Sequence, residues 1–279
     1  MFSQAKNIAS TVSAKLHLGA QNLNPSPLLN DKLHFIRSCV ETLLMSAIYK
    51  ARFPVKQTIH RIILLAIFAE FHATGNCMEH AALALLEAWK LRINIPTEII
   101  VVEGKRQDNK NDNHAFLLLN RHSMVDVRCF ATWHNVVIVD AWQSLPIIKA
   151  TSLVHPKISK EYLEEKYLVG GFLKKINDVH SVIRQSKNLS HQQWFDLVDL
   201  TSVVIEFLLK NNSSKELINL DGLILFLKKK QQEFITLGAQ SIPVTKSRNT
   251  WFNRKEGSNA IVVATSKLAA TPSPQLKCA

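Results

Sequence analysis

Cysteine and glycine are both scarce here, at 4 and 8 of 279 residues. The cysteines (Cys39, Cys77, Cys129 and Cys278) are scattered without close pairing. That excludes a disulfide scaffold and points to free thiols in a reducing, cytoplasmic setting. Long apolar runs are absent as well. The longest, Ile62 to Phe71, is about half of what a bilayer needs, so no transmembrane helix is expected. The first thirty residues contain no Asp or Glu and no continuous apolar block, and they lack the arginines of a transit peptide. A secretory signal is therefore not expected, and residues 1–27 read as a flexible leader ending in the breakers Asn24-Pro25-Ser26-Pro27. No internal repeat of fixed period occurs.

Acidic charge is also thin, with 22 Asp and Glu against 34 Lys and Arg, which leaves a net charge of +12. Such a balance attracts acidic surfaces, and an acidic partner surface fits it. The basic residues are dispersed, however. The densest run, Lys228-Lys229-Lys230, reads as a complement to a helix C-terminus, and nucleic acid is not expected as a partner. With 47% apolar residues there is ample material for a buried core.

Along the chain, Leu33, Ile36, Val40, Leu43 and Ala47 recur at helical spacing, and Cys39 lies beside that stripe as an inert core or boundary thiol. Pro54 opens a second helix, roughly 55–72, whose middle is apolar on every side and therefore buried. Gly75-Asn76 breaks it. Cys77 then starts a third helix, in which Ala81, Ala82, Ala84 and Ala88 permit close packing. After Pro96 the pattern becomes β: Ile99–Val102, His114–Leu119, Met124–Phe130 and Val136–Val139 read as strands. The loops between them are too short for crossover helices, so pairing is expected to be antiparallel. Helices are expected over 161–176, from the capping box Ser190-His191-Gln192-Gln193 onward, and over 217–235. The fold class is α+β: a helical N-terminal lobe and a central helix on a small antiparallel sheet, with helices after it. The expected divisions are a core over 28–150, a helical region over 151–237 and a largely disordered basic tail over 238–279.

Chemistry concentrates in three places. A thiol at a helix start, as at Cys77, feels the partial positive charge of the helix N-terminus. His114 opens one apolar strand and Asp140 closes another. Strand parity puts His114 with Phe116 and Leu118, and Asp140 with Ile138 and Val136, each polar residue ending an apolar row that faces a common core. A thiol nucleophile, an imidazole base and a carboxylate that orients the base are what acyl transfer requires.

These residues carry a resemblance. The stretch from Gly75 to Trp142 resembles the papain-like and transglutaminase-like superfamily of Cys-His-Asp enzymes, and is most similar to its transglutaminase-core branch and to related proteins of host-associated bacteria. It rests on Gly75-Asn76-Cys77 followed by alanines, on His114-Ala115-Phe116 and on Val139-Asp140-Ala141-Trp142. The resemblance covers about a quarter of the chain. It implies a cysteine-headed helix packed on an antiparallel sheet, with Cys77 as nucleophile, His114 as general base and Asp140 as orienter. No cofactor is implied, and the substrate would be a protein or peptide. It also implies a peptidase, deamidase or transglutaminase-like activity and, for a bacterial effector, translocation into a host cell without an N-terminal signal.

Two departures stand out. No glutamine lies a few residues before Cys77 to complete an oxyanion hole, and Ala141 replaces a common proline. Asn76 and the Cys77 amide are the candidate donors, and Trp142 joins Asn76 as a candidate oxyanion or substrate-binding residue.

Three rival readings stand beside this one. Asp126 is an alternative third member, although Arg128 shares its strand face. Cys77 and His80 with Cys129 and His134 have the donor types of a structural zinc site. A basic binding or scaffold module with an incidental thiol is the third, for which Trp251-Phe252-Asn253-Arg254-Lys255 mixes aromatic and basic residues.

Overall fold

The computed structural model describes residues 2–19, 26–55, 57–106, 108–122, 126–130, 133, 136–142, 173, 175–211 and 219–241. The architecture is α+β, with helices packed on a small four-stranded antiparallel sheet of order β3-β2-β1-β4.

The central helix is α5 (Cys77–Lys90), in which every residue from Glu79 to Trp89 is buried. Its alanines let α4 (Thr58–His72) approach closely. α4 itself buries an unbroken run from Ile62 to Ala69, as its all-round apolar pattern demands. The two helices meet at 103° across a turn in which Ala73 takes the left-handed conformation (φ 57°). α2 (Pro27–Met45) starts at Ser26, whose Oγ accepts a hydrogen bond from Leu29 N–H at 3.2 Å, with proline in its first turn. It buries Leu33, Ile36, Val40 and Leu43 against α4, and the short α3 (Ala47–Arg52) follows it. Among the described residues no single helix is long and apolar enough to cross a membrane.

The chain start departs from expectation. Residues 2–15 are not a loose leader but form α1 (Phe2–Lys15), with Ala5, Ile8, Ala9, Val12 and Leu16 buried in the main core. These recur at helical spacing, and their small size hides the stripe in a segment rich in Ser, Asn and Lys. The end of α1 is tied to the turn before Cys77: Leu18 N–H donates to Ala73 O at 3.0 Å, and Thr74 Oγ donates to Gly19 O at 2.8 Å.

An alternating ring of ion pairs fastens α1 further. Lys15 contacts Glu87 (2.8 Å), Glu87 contacts Lys90 (2.9 Å), and Lys90 contacts Glu233 (2.9 Å). Glu233 contacts Lys230 (3.2 Å), Lys230 contacts Glu70 (2.7 Å), and Glu70 returns to Lys15 (3.1 Å). Each charge therefore has two opposite neighbours, which is how so many charges tolerate burial between α1, α4, α5 and the last helix. Lys228-Lys229-Lys230 lies within that helix rather than at its end, and Lys230 points inward.

β1 (Thr97–Lys105) pairs with β2 (Asn111–Leu119), and β2 pairs with the short β3 (Val137–Val139), all antiparallel as expected. On the other side β1 pairs with β4 (Lys175–Gln185), where a helix over 161–176 was expected; residues 161–172 lie outside the described ones. The expected strand over 124–130 is instead a turn at 126–130. β4 joins the sheet, and α6 (His191–Lys210) and α7 (Leu220–Ala239) bury Trp194, Leu197, Leu223 and Phe234 in the same core as α4 and α5. The expected division at 150–151 is thus not a structural boundary. The capping box at Ser190 forms as read: its Oγ accepts from Gln193 N–H at 3.2 Å, and Gln193 Oε1 accepts from Ser190 N–H at 2.9 Å. The basic tail lies outside the described residues from 242 onward.

The sheet has two buried faces. Ile99, Val101, Ala115, Leu117, Val137 and Val139 pack on the helices. Ile100, Val102, Phe116, Leu118 and Ile138 face a second, smaller core closed by Val127, Trp133, Val136 and Val179. Being buried on both sides, the strands read as continuous apolar runs.

The role of α1 can be measured. Ile8→Ala is expected to destabilise the protein by about 2–5 kcal/mol in denaturant unfolding; a loose leader would leave the midpoint unchanged.

Candidate active site

The site grows from one turn. Asn76 is the N-cap of α5, and Glu79, three residues on, folds back so that its Oε2 accepts from Asn76 N–H at 2.9 Å. Glu79 is fully buried, and Arg37 on α2 reaches across to it with Nε (2.9 Å to Oε1) and Nη2 (3.1 Å to Oε2). A side chain at Gly75 would put its Cβ 2.4 Å from the Glu79 Cβ, so glycine is what lets the carboxylate close on the cap. Neither Glu79 nor Arg37 was singled out from the sequence. The available signal was the Asn-x-x-Glu spacing of a capping box, while Arg37 comes from a different helix.

Cys77 is thereby held at the first turn of α5. It belongs to the main core, yet 9% of its surface stays open. Cys39, the other described free thiol, is held inert by burial, which pushes it up to about 11; Cys129, expected to be free, is disulfide-bonded instead.

His114 and Asp140 meet across the end of the β2–β3 pair. Strand parity aligns them with Phe116, Leu118 and Ile138 toward the second core, as expected, and both are buried. His114 Nε2 and Asp140 Oδ2 are 2.6 Å apart, a short charge-assisted hydrogen bond. Asp140 Oδ1 accepts from Trp142 N–H at 3.2 Å, and the Trp142 ring lies 4.8 Å from the imidazole. Trp142 thus covers and orients the His–Asp pair.

The charges of the site are coupled. Burial alone would strip His114 of its second proton. The charge and hydrogen bond of Asp140 oppose this, joined by a hydrogen bond and the charge of Cys77, and together they hold the ring up at about 10. Since Nε2 is engaged by Asp140, Nδ1 is the ring nitrogen through which a hydrogen bond with Cys77 can run. Burial likewise lowers Arg37, but the hydrogen bonds and charge of Glu79, and then the charge of Cys77, outweigh it and raise the guanidinium.

His80, one turn along α5, lies close enough to sense Asp140 and His114. Burial keeps it below the ordinary histidine range despite the Asn76 carbonyl, which lies 2.9 Å from its Nδ1. A carbonyl only accepts, so Nδ1 carries a proton.

The remaining candidates separate clearly. Asp126 is exposed on its turn and paired with Arg128, far from the role of third member. No group of three or more His, Cys, Asp or Glu is placed to hold a metal ion among the described residues. His134 and the 251–255 cluster lie outside them. Asn76 uses its backbone N–H on Glu79, so the donors next to Cys77 are its own amide and the Asn76 side chain. Comparison with protein-family models, curated proteins and solved structures finds no match to this chain.

Because His114 is raised in the folded state, it adds stability that is complete below its ordinary value near 6.5. That stability is lost as pH climbs through about 10. The stability gap between wild type and His114→Gln should therefore shrink steadily between those two values in urea unfolding; a gap independent of pH contradicts the pairing.

Proposed function

We propose that this protein is a cysteine-dependent acyl-transfer enzyme that acts on a protein or peptide through Cys77, His114 and Asp140. The observation that carries the reading is the buried His114–Asp140 contact of 2.6 Å, with its imidazole coupled to a thiol at a helix start. The resemblance to the papain-like and transglutaminase-like superfamily assigns the same three residues to the same roles. Action inside a host cell would follow from that resemblance as well.

In the resting site the imidazolium of His114 lies between the carboxylate of Asp140 and the sulfur. The Cys77 thiolate attacks the acyl carbonyl carbon, a C–S bond forms, and the carbonyl oxygen takes the negative charge. The Cys77 amide, aided by the Asn76 side chain and the partial positive charge of the α5 N-terminus, stabilises that oxyanion. As the tetrahedral intermediate collapses, His114 gives its proton to the leaving amine and a thioester remains. His114, now neutral, takes a proton from water or from an amine, whose attack forms the new C–O or C–N bond and returns the electron pair to sulfur. Hydrolysis gives a peptidase or deamidase, and amine capture gives a transglutaminase-like outcome. Trp142 and the second core keep the His–Asp pair dry, which strengthens their attraction.

p-Nitrophenyl acetate tests this without knowledge of the natural substrate. The wild type should give a burst of p-nitrophenol and an acetyl thioester on Cys77 by peptide mass spectrometry. His114→Ala should slow the burst by about 10²–10⁴-fold, and Cys39 should stay unmodified. Acetylation of Cys77 at the same rate in His114→Ala would exclude the reading.

A further inference from the structure

Arg37 keeps part of its guanidinium outside the pair that it makes with Glu79. Its fork holds the buried Glu79 through Nε and Nη2, while Nη1 makes no hydrogen bond among the described residues. Its side chain is 49% exposed, whereas that of Glu79 beneath it is 1% exposed, so the cation is the outer member of the pair. Glu79 also binds the Asn76 amide, one residue before Cys77, and Cys77 is among the groups that raise Arg37. A half-exposed guanidinium on the carboxylate that caps the Cys77 helix keeps a donor for an acceptor that arrives with the substrate. Guanidinium groups favour carboxylates in that position.

We propose that Arg37 anchors a carboxylate on the acyl donor, so that the substrate carries an acidic group close to the carbonyl that Cys77 attacks. This rests on the acyl-transfer reading of Cys77 and adds a substrate class to it. The anchor is rigid because the same guanidinium is held by two hydrogen bonds on its inner edge, so little freedom is lost when the outer edge binds. The net charge of +12 works in the same direction by drawing acidic chains toward the molecule.

The test compares two small alkylating agents at Cys77, iodoacetate and iodoacetamide, which differ in one carboxylate. The wild type should favour iodoacetate relative to a free model thiol. Arg37→Gln should lower the iodoacetate-to-iodoacetamide rate ratio about fivefold, as expected for loss of one nearby, partly solvated charge. Arg37→Lys, which keeps the charge but not the fork, should fall well below the wild-type ratio, and a ratio equal to the wild type's would overturn the anchor in favour of charge alone. Removing Arg37 leaves Glu79 buried and unpaired, so the comparison is repeated between Glu79→Gln and Arg37→Gln/Glu79→Gln, where no such carboxylate exists; the double variant should again show the lower ratio. An unchanged ratio in both comparisons overturns the anchor. If that result comes with iodoacetamide reactivity that still depends on His114, the acyl-transfer reading survives and only the anchor fails. If His114→Ala leaves iodoacetamide reactivity unchanged, the acyl-transfer reading fails with it.

Discussion

A carboxylate taken fully out of water must be surrounded by donors, and at Glu79 that requirement organises the neighbourhood of Cys77. Its two oxygens collect the Arg37 fork and the Asn76 amide. Glycine at position 75 leaves the room this needs. Meeting these demands fixes the first turn of α5, ties α2 to it, and sets Cys77 at a helix N-terminus with a guanidinium nearby. The end of α1 supports the same turn from the other side through Leu18, Thr74 and the Lys15 ion pairs. The helical lobe is therefore a mount for one turn.

The imidazole and carboxylate come from a different environment. They line up with the apolar row that faces the second core, while Cys77 and Trp142 belong to the first. The candidate triad thus lies at the border between the two cores, where the sheet edge meets the head of α5. Burial from both sides opposes a charged ring, and it is the short contact with Asp140, joined by Cys77, that keeps His114 charged against that desolvation.

Much of this was legible in the chain. The all-round apolar pattern of α4, the break at Gly75-Asn76, the β-branched run of β1 and the parity of His114 and Asp140 each follow from local rules that tertiary structure did not override. Three features were not legible, each for a physical reason. α1 buries alanines, isoleucine and valine in a polar setting, so its stripe carries little bulk. β4 contains two irregularities: it pairs Gly104 with Ile176 but Glu103 with Asp178, and Ile100 with Ser181 but Ile99 with Ile183. The extra residues reset the period of two, which puts Ile176 and Val179 on the same core face and hides the strand. Arg37 meets Glu79 from 42 residues away, a pairing that no local pattern encodes.

The central claim is that a thiol and a carboxylate share the imidazole of His114 and keep it charged. Nitrogen NMR of the histidine rings, followed against pH in the wild type and in Cys77→Ser, tests it most directly. The account expects the His114 ring to carry both protons at neutral pH and to lose one only as pH rises toward about 10, with the loss moved to lower pH in Cys77→Ser. A His114 ring that is neutral at pH 7, or that titrates identically in the two proteins, would contradict it.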